Sequence, residues 1–128
     1  MDDATIQQEV LQRSKSVQML LSQKKNLEAL KVSLQSPPVL TKNEAIKSEN
    51  YTIVMNAIQS ITAKSDVCSA VESLSSDEND VLIKYIYKGL ETSKTSMLLS
   101  LLLEYHSQLI RVAGDGCVLR ALADRKTV

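Results

Sequence analysis

At 128 residues, with 44% hydrophobic and 23% charged side chains, the chain has the size and make-up of one globular domain with its own core, not of a disordered polymer. Fifteen Lys and Arg balance fifteen Asp and Glu, so no basic excess is offered to a phosphate backbone and nucleic acid is not an expected partner. The start MDDATIQQEV is too acidic and polar for a signal peptide or presequence, and the longest apolar run, Met97 to Leu103, is broken by Ser100 and too short to cross a bilayer.

Helical periodicity recurs along the chain and no segment alternates as a strand. Asp2 or Asp3 can cap a first helix toward Leu21, with Ile6, Val10, Val17, Leu20 and Leu21 apolar and a polar break from Gln12 to Ser16. Asn26 is a candidate cap for a second helix, Leu27 to Leu34, stopped by Ser36-Pro37-Pro38. Thr41-Lys-Asn-Glu44 reads as a capping box for a third, in which Ile53, Val54, Ala57, Ile58 and Ile61 share a face. Ser65 or Asp66 would cap a short fourth helix carrying Val67, Val71 and Leu74. The stretch Ser75 to Glu78 reads as the separator before a fifth, Asn79 to Leu90. Ser93 or Thr95 would cap a sixth, which Gly114-Asp-Gly116 ends by supplying positive φ cheaply. A short seventh, Cys117 to Ala123, precedes the basic tail Arg125-Lys126.

The expected fold is all-α: about six or seven short helices in stacked antiparallel hairpins, as an α-α superhelix or a compact bundle. Residues 1–25 are expected to form a loosely attached helical segment, because the first apolar face is thin, and residues 26–128 the helical core domain.

Chemistry is sparse. His106 is the single histidine, lies within the apolar arc of the sixth helix, and reads as a packed or hydrogen-bonded imidazole. Cys68 and Cys117 lack CxxC spacing and form no secreted disulfide framework, so they read as reduced, partly buried thiols of a cytosolic protein. Neither GxxxxGK[ST] nor GxGxxG occurs. Asp77, Glu78 and Asp80 lack the order of a calcium loop and suit a helix start. Lys126 stands where the commonest C-terminal pocket ligands carry Ser or Thr, which argues against that use of the tail. No catalytic residue, cofactor, metal or small-molecule substrate is expected.

Apolar surface is in surplus instead. On the sixth helix Met97, Leu98, Leu101, Leu102, Tyr105, Leu109 and Val112 fill one face, and Leu99, Leu103 and Ile110 form a second stripe. Together they span roughly twice the stripe of just over 100° that a surface helix needs. Such a helix is either central in its domain or half covered by a partner. On the fifth, Val81, Leu82, Tyr85 and Ile86 form one face, Ile83 and Tyr87 another, with Lys84 and Lys88 on the remainder. Ile83, Lys84, Tyr87, Lys88, Leu99, Leu103 and Ile110 are therefore the candidate partner-binding residues.

The same region carries a family resemblance. Lys84-Tyr-Ile-Tyr-Lys-Gly89, preceded by Asp80-Val-Leu-Ile and followed by Leu90-Glu91, resembles the signature of subunit 5 of the actin-related protein 2/3 complex. Ser36-Pro-Pro-Val, Thr41-Lys, Leu102-Leu-Glu-Tyr-His106 and the terminus Arg125-Lys-Thr-Val128 fit in order and approximate spacing, so the resemblance covers residues 26 to 128. It implies a cytoplasmic, non-catalytic helical subunit of the actin cytoskeleton, in a complex that nucleates branched filaments. It also implies packing against subunit 4 and the β-propeller subunit 1, with an N-terminal segment able to reach actin-related protein 2. Here residues 1 to 21 depart from the family's longer, acidic, tyrosine-bearing extension, which speaks against that last contact. Tyr105 stands where the family has tryptophan, a tolerable aromatic exchange in a core. The competing expectation is a generic helical adaptor holding linear peptides in a groove.

Overall fold

The computed structural model of the chain describes residues 3–35, 41–114, 116–123 and 128, with the side chains of Cys117, Val118, Ala121 and Leu122 set aside. The expected stop at Pro37-Pro38, the tail Arg125-Lys126 and the Cys117 thiol lie outside the described residues and side chains. Seven α-helices form among the described residues, so the fold is all-α. They group into two compact units, one of residues 1–60 with Val128, the other of residues 61–127. That division falls elsewhere than the boundary after residue 25 that the thin first apolar face suggests.

The first unit holds α1 (Asp3–Ser22), α2 (Asn26–Ser33) and α3 (Glu44–Gln59), each packed on the other two. On α1 the buried positions are Ile6, Val10, Arg13 and Val17. Their spacing of four, three and four aligns them on one side of a helix. Arg13 fills the apparent polar break: its Nη1 donates to Asn50 Oδ1 of α3, and both residues are buried. The turn after α1 bonds Lys24 N to Leu21 O at 3.0 Å and Lys25 N to Leu20 O at 2.9 Å, with Lys24 at φ 60°. A non-glycine residue in that left-handed region costs on the order of 1 kcal/mol, which the two carbonyl bonds offset.

Two expected caps are replaced. Asn26 does not cap α2; its Nδ2 donates to Ser60 O at 3.1 Å, tying the start of α2 to the end of α3. At α3 the N-cap is Asn43, whose Oδ1 accepts from Ala45 N at 3.0 Å. Thr41 therefore does not form the box with Glu44. Its hydroxyl accepts from Asn43 N at 3.1 Å and donates to Asp3 Oδ1 at 2.6 Å, joining the approach to α3 with the start of α1.

The second unit holds α4 (Lys64–Ser73), α5 (Ser76–Thr92), α6 (Ser96–Ala113) and α7 (Gly116–Ala123). α6 packs on α4, α5 and α7, so it is central in its unit. Its core side chains Leu102, Tyr105 and Leu109 meet a core built by Val67, Ala70 and Val71 of α4 and Leu82, Ile83, Tyr85 and Ile86 of α5. α5 begins three residues before the expected Asn79, because Ser75-Ser-Asp-Glu78 is the capping box itself. Glu78 N donates to Ser75 Oγ at 3.2 Å and Ser75 N to Glu78 Oε1 at 2.9 Å. At α4 the N-cap is Ala63, with no side-chain bond, and Ser65 and Asp66 lie inside the first turn. Gly114, at φ 74°, ends α6 as expected and donates to Ile110 O at 2.9 Å.

Candidate protein-binding face

The candidate residues divide by burial. Ile83 lies inside the second unit's core: α5 is packed on both α6 and α7, which covers two of its faces, so Ile83 is not at the surface. Lys84, Tyr87 and Lys88 on α5, and Leu99 and Ile110 on α6, are half-buried. Leu103 is 55% exposed. Leu99, Leu103, His106 and Ile110 recur at spacings of four, three and four, which places them along one edge of α6 beside the packed face of Leu102, Tyr105 and Leu109. Met97 and Val112, expected on that packed face, stand at the two ends of α6 and are exposed, as is Leu119 of α7. Of this edge Leu103 is the exposed member, and Met97 and Val112 add exposed apolar side chains at the helix ends.

Periodicity offers no sign of one feature at this edge. Tyr87 and His106 lie nineteen residues apart, and the α5–α6 hairpin brings them together: the hydroxyl is 3.1 Å from Nε2, the ring centroids are 5.6 Å apart and the planes tilt by 57°. The imidazole is thus hydrogen-bonded and half-buried, as a lone histidine on an apolar face is expected to be. Only the hairpin register, which no local pattern encodes, could have paired it with Tyr87.

Other polar groups of this unit bind one another. Arg120 forms a two-pronged bond to the Asp80 carboxylate, with Nη2 to Oδ1 at 2.9 Å and Nε to Oδ2 at 3.0 Å, joining α7 to α5. Arg111 of α6 meets Glu72 of α4 at 2.9 Å and also lies against the Cys68 sulfur. The Arg111 hydrogen bond, then that from Cys68, hold the Glu72 carboxyl below the usual carboxylate range. Both partners are more than half exposed, so the pair adds little stability. Burial pushes the Tyr105 hydroxyl well above the ordinary tyrosine range; it donates to Ile61 O at a long 3.4 Å.

Cys68 is a free thiol. Among the described residues no three His, Cys, Asp or Glu gather into a metal-holding group. The first unit has a cleft of about 250 Å³ lined by Glu9, Gln12, Arg13, Ser16, Val32 and Gln35.

The fold is that of an all-helical protein whose second unit carries exposed apolar side chains on α6 and α7. The family described as the ARP2/3 complex 16 kDa subunit (p16-Arc) matches residues 1–128. Actin-related protein 2/3 complex subunit 5 of Dictyostelium discoideum is 37% identical over 126 residues, covering 98% of this chain and 88% of that one. Subunit 5A of Arabidopsis thaliana is 36% identical over 112 residues, covering 88% and 82% of the two chains. The subunit 5-like protein of Homo sapiens is 38% identical over 109 residues, covering 85% and 70%. The chain belongs to the family of the 16 kDa subunit of the ARP2/3 complex.

Proposed function

We propose that this chain is a non-catalytic structural subunit of the actin-related protein 2/3 complex and supports assembly of the particle that nucleates branched actin filaments. The observation that carries this reading is the family match across all 128 residues. The other subunits of the complex are its partners, and its place is the actin cytoskeleton of the cytoplasm. Subunit 4 and the β-propeller subunit 1 are the proposed neighbours, docking along the α6 edge of Leu99, Leu103 and Ile110 with Lys84, Tyr87 and Lys88 of α5 beside it. A tether from residues 1–22 to actin-related protein 2 is disfavoured, because Ile6, Val10 and Val17 are buried within the first unit and Asp3 is bonded to Thr41.

Incorporation tests the reading. Complex depleted of this subunit is mixed with wild-type chain or with the double variant Leu99→Asp, Leu103→Asp, and the particle is isolated by size. Wild type is expected in the particle. The double variant is expected to remain outside it while keeping its helicity and melting transition. Failure of the wild type to enter overturns the subunit assignment; entry of the double variant moves the docking face away from α6.

A further inference from the structure

Val128 groups with the first unit, although the run from Ile61 to Thr127 groups with the second. It is 5% exposed, as deeply covered as Met55 of α3. Water is kept from such a side chain, so a buried valine stabilises the core it enters. The first unit gains more from this than a larger one would. At about sixty residues it is close to the smallest size at which a single core sustains itself. Part of its interior is also polar, with Arg13, Ser33, Thr41, Lys47 and Asn50 buried among the aliphatic residues. Each of these takes interior volume that an aliphatic side chain would otherwise fill.

We infer that Val128 is the closing residue of the first unit: α1, α2 and α3 reach their full stability only with residue 128 seated in their core. The first unit is then discontinuous in sequence. A unit of contiguous residues near the N-terminus can fold as soon as those residues have been synthesised. This one is completed only after the residues of α4 to α7 have been made, and its three helices depend on a side chain distant from all of them in sequence. The inference is independent of any docking on α6.

Amide hydrogen exchange of the full chain, followed helix by helix, reads the two units separately. Wild type is compared with Val128→Ala, Val128→Thr and Leu11→Ala. The alanine at 128 removes two methyl groups, and the threonine keeps the shape while burying a hydroxyl. Leu11, on α1 of the same unit, is 50% exposed and serves as the surface control. The slowest amides of α1 and α3 are expected to exchange roughly tenfold faster in both Val128 variants. Leu11→Ala is expected to stay within about threefold of wild type, and α5 and α6 to be unchanged throughout. Unaltered exchange in α1 to α3 for both Val128 variants overturns the inference. Equal acceleration in α5 and α6 overturns it too, since Val128 then braces the whole chain rather than closing the first unit. So does a Leu11→Ala effect as large as that of Val128→Ala, which would make the response one of any aliphatic truncation.

Discussion

The two units solve the same packing problem with different materials. The first closes on a core that admits polar groups: Arg13, Ser33, Thr41, Lys47 and Asn50 are all buried among its helices. Among the described residues of the second, polar groups are buried at Asn79, Tyr85 and Tyr105, and the Asn79 Oδ1 has no hydrogen-bond partner. The second also leaves more apolar surface outside, with Met97, Leu103, Val112 and Leu119 exposed against Leu11 and Met19 in the first. A buried hydrogen bond is directional and stabilises one arrangement of three helices. A surplus of aliphatic surface is indifferent to direction and gains from being covered. The first unit thus buries more polar side chains, and the second leaves more large apolar ones exposed.

The largest expected effect attacks the second unit from within. Leu102 is fully buried and Leu98 half-buried on the packed face of α6. Leu98→Asp with Leu102→Asp forces carboxylates into an apolar interior without partners, a cost of roughly 5 kcal/mol or more. Circular dichroism should show loss of the second unit's cooperative transition. A double variant that melts like wild type would mean the unit is held from elsewhere and that α6 is not its centre.

A smaller effect tests the first unit. Deleting residues 1–12 removes Ile6 and Val10, which are 4% and 1% exposed. At about 1.5–3 kcal/mol for each buried side chain, the loss is roughly 3–6 kcal/mol. The truncated chain should melt earlier, with loss of helicity beyond the twelve residues removed. Unchanged helicity per remaining residue would show instead that residues 1–25 are attached as loosely as their thin apolar face suggests.

That contrast also explains what could be read from the chain directly. Apolar periodicity located all seven helices, since Leu, Ile and Val repeat with the helical turn, and Gly114 marked the end of α6 because positive φ favours glycine. Bonds between distant residues leave no local pattern. Arg13 and Asn50 are thirty-seven residues apart, so a buried ion looked like a break in a helix face. Thr41 was drawn away from its expected box by Asp3, thirty-eight residues earlier. At α5 the apolar repeat begins only after the Ser75–Glu78 box, so periodicity sets the helix start three residues late although the box itself is written in the chain. Among the candidate partner-binding residues, periodicity does not separate the exposed Leu103 from the buried Ile83. Angle around a helix says which residues share a side, not how many neighbours cover that side.

Tyr105 gives a pH-dependent expectation for the second unit. Below about pH 10 the hydroxyl is neutral in both folded and unfolded chains. Burial raises the folded value, so above that pH the unfolded chain ionises first. Stability from this group is therefore complete below about pH 10 and is lost as pH rises through the folded value. Tyr105→Phe should flatten the alkaline limb of a melting-temperature profile relative to wild type. At neutral pH it should cost only about 1 kcal/mol or less, because the bond to Ile61 O is long. Parallel alkaline limbs for the two proteins would place the titrating group elsewhere.

The smallest effect is expected at Glu72, where the second unit uses a surface ion pair between α4 and α6 instead of a buried bond. Its folded value is lowered, by the Arg111 hydrogen bond first and the Cys68 bond second. The sign is opposite to that of Tyr105. Whatever the carboxylate contributes is present above the unfolded value of about 4.3 and disappears as pH falls through the lower folded value. Glu72→Gln should thus reduce the melting temperature slightly near neutrality, and the difference should vanish in strong acid. Because both side chains are more than half exposed, added salt should erase most of it at neutral pH as well. A large, salt-insensitive loss would mean that the Arg111–Glu72 pair is shielded from water like the Arg13–Asn50 bond. The two units would then be stabilised by the same device.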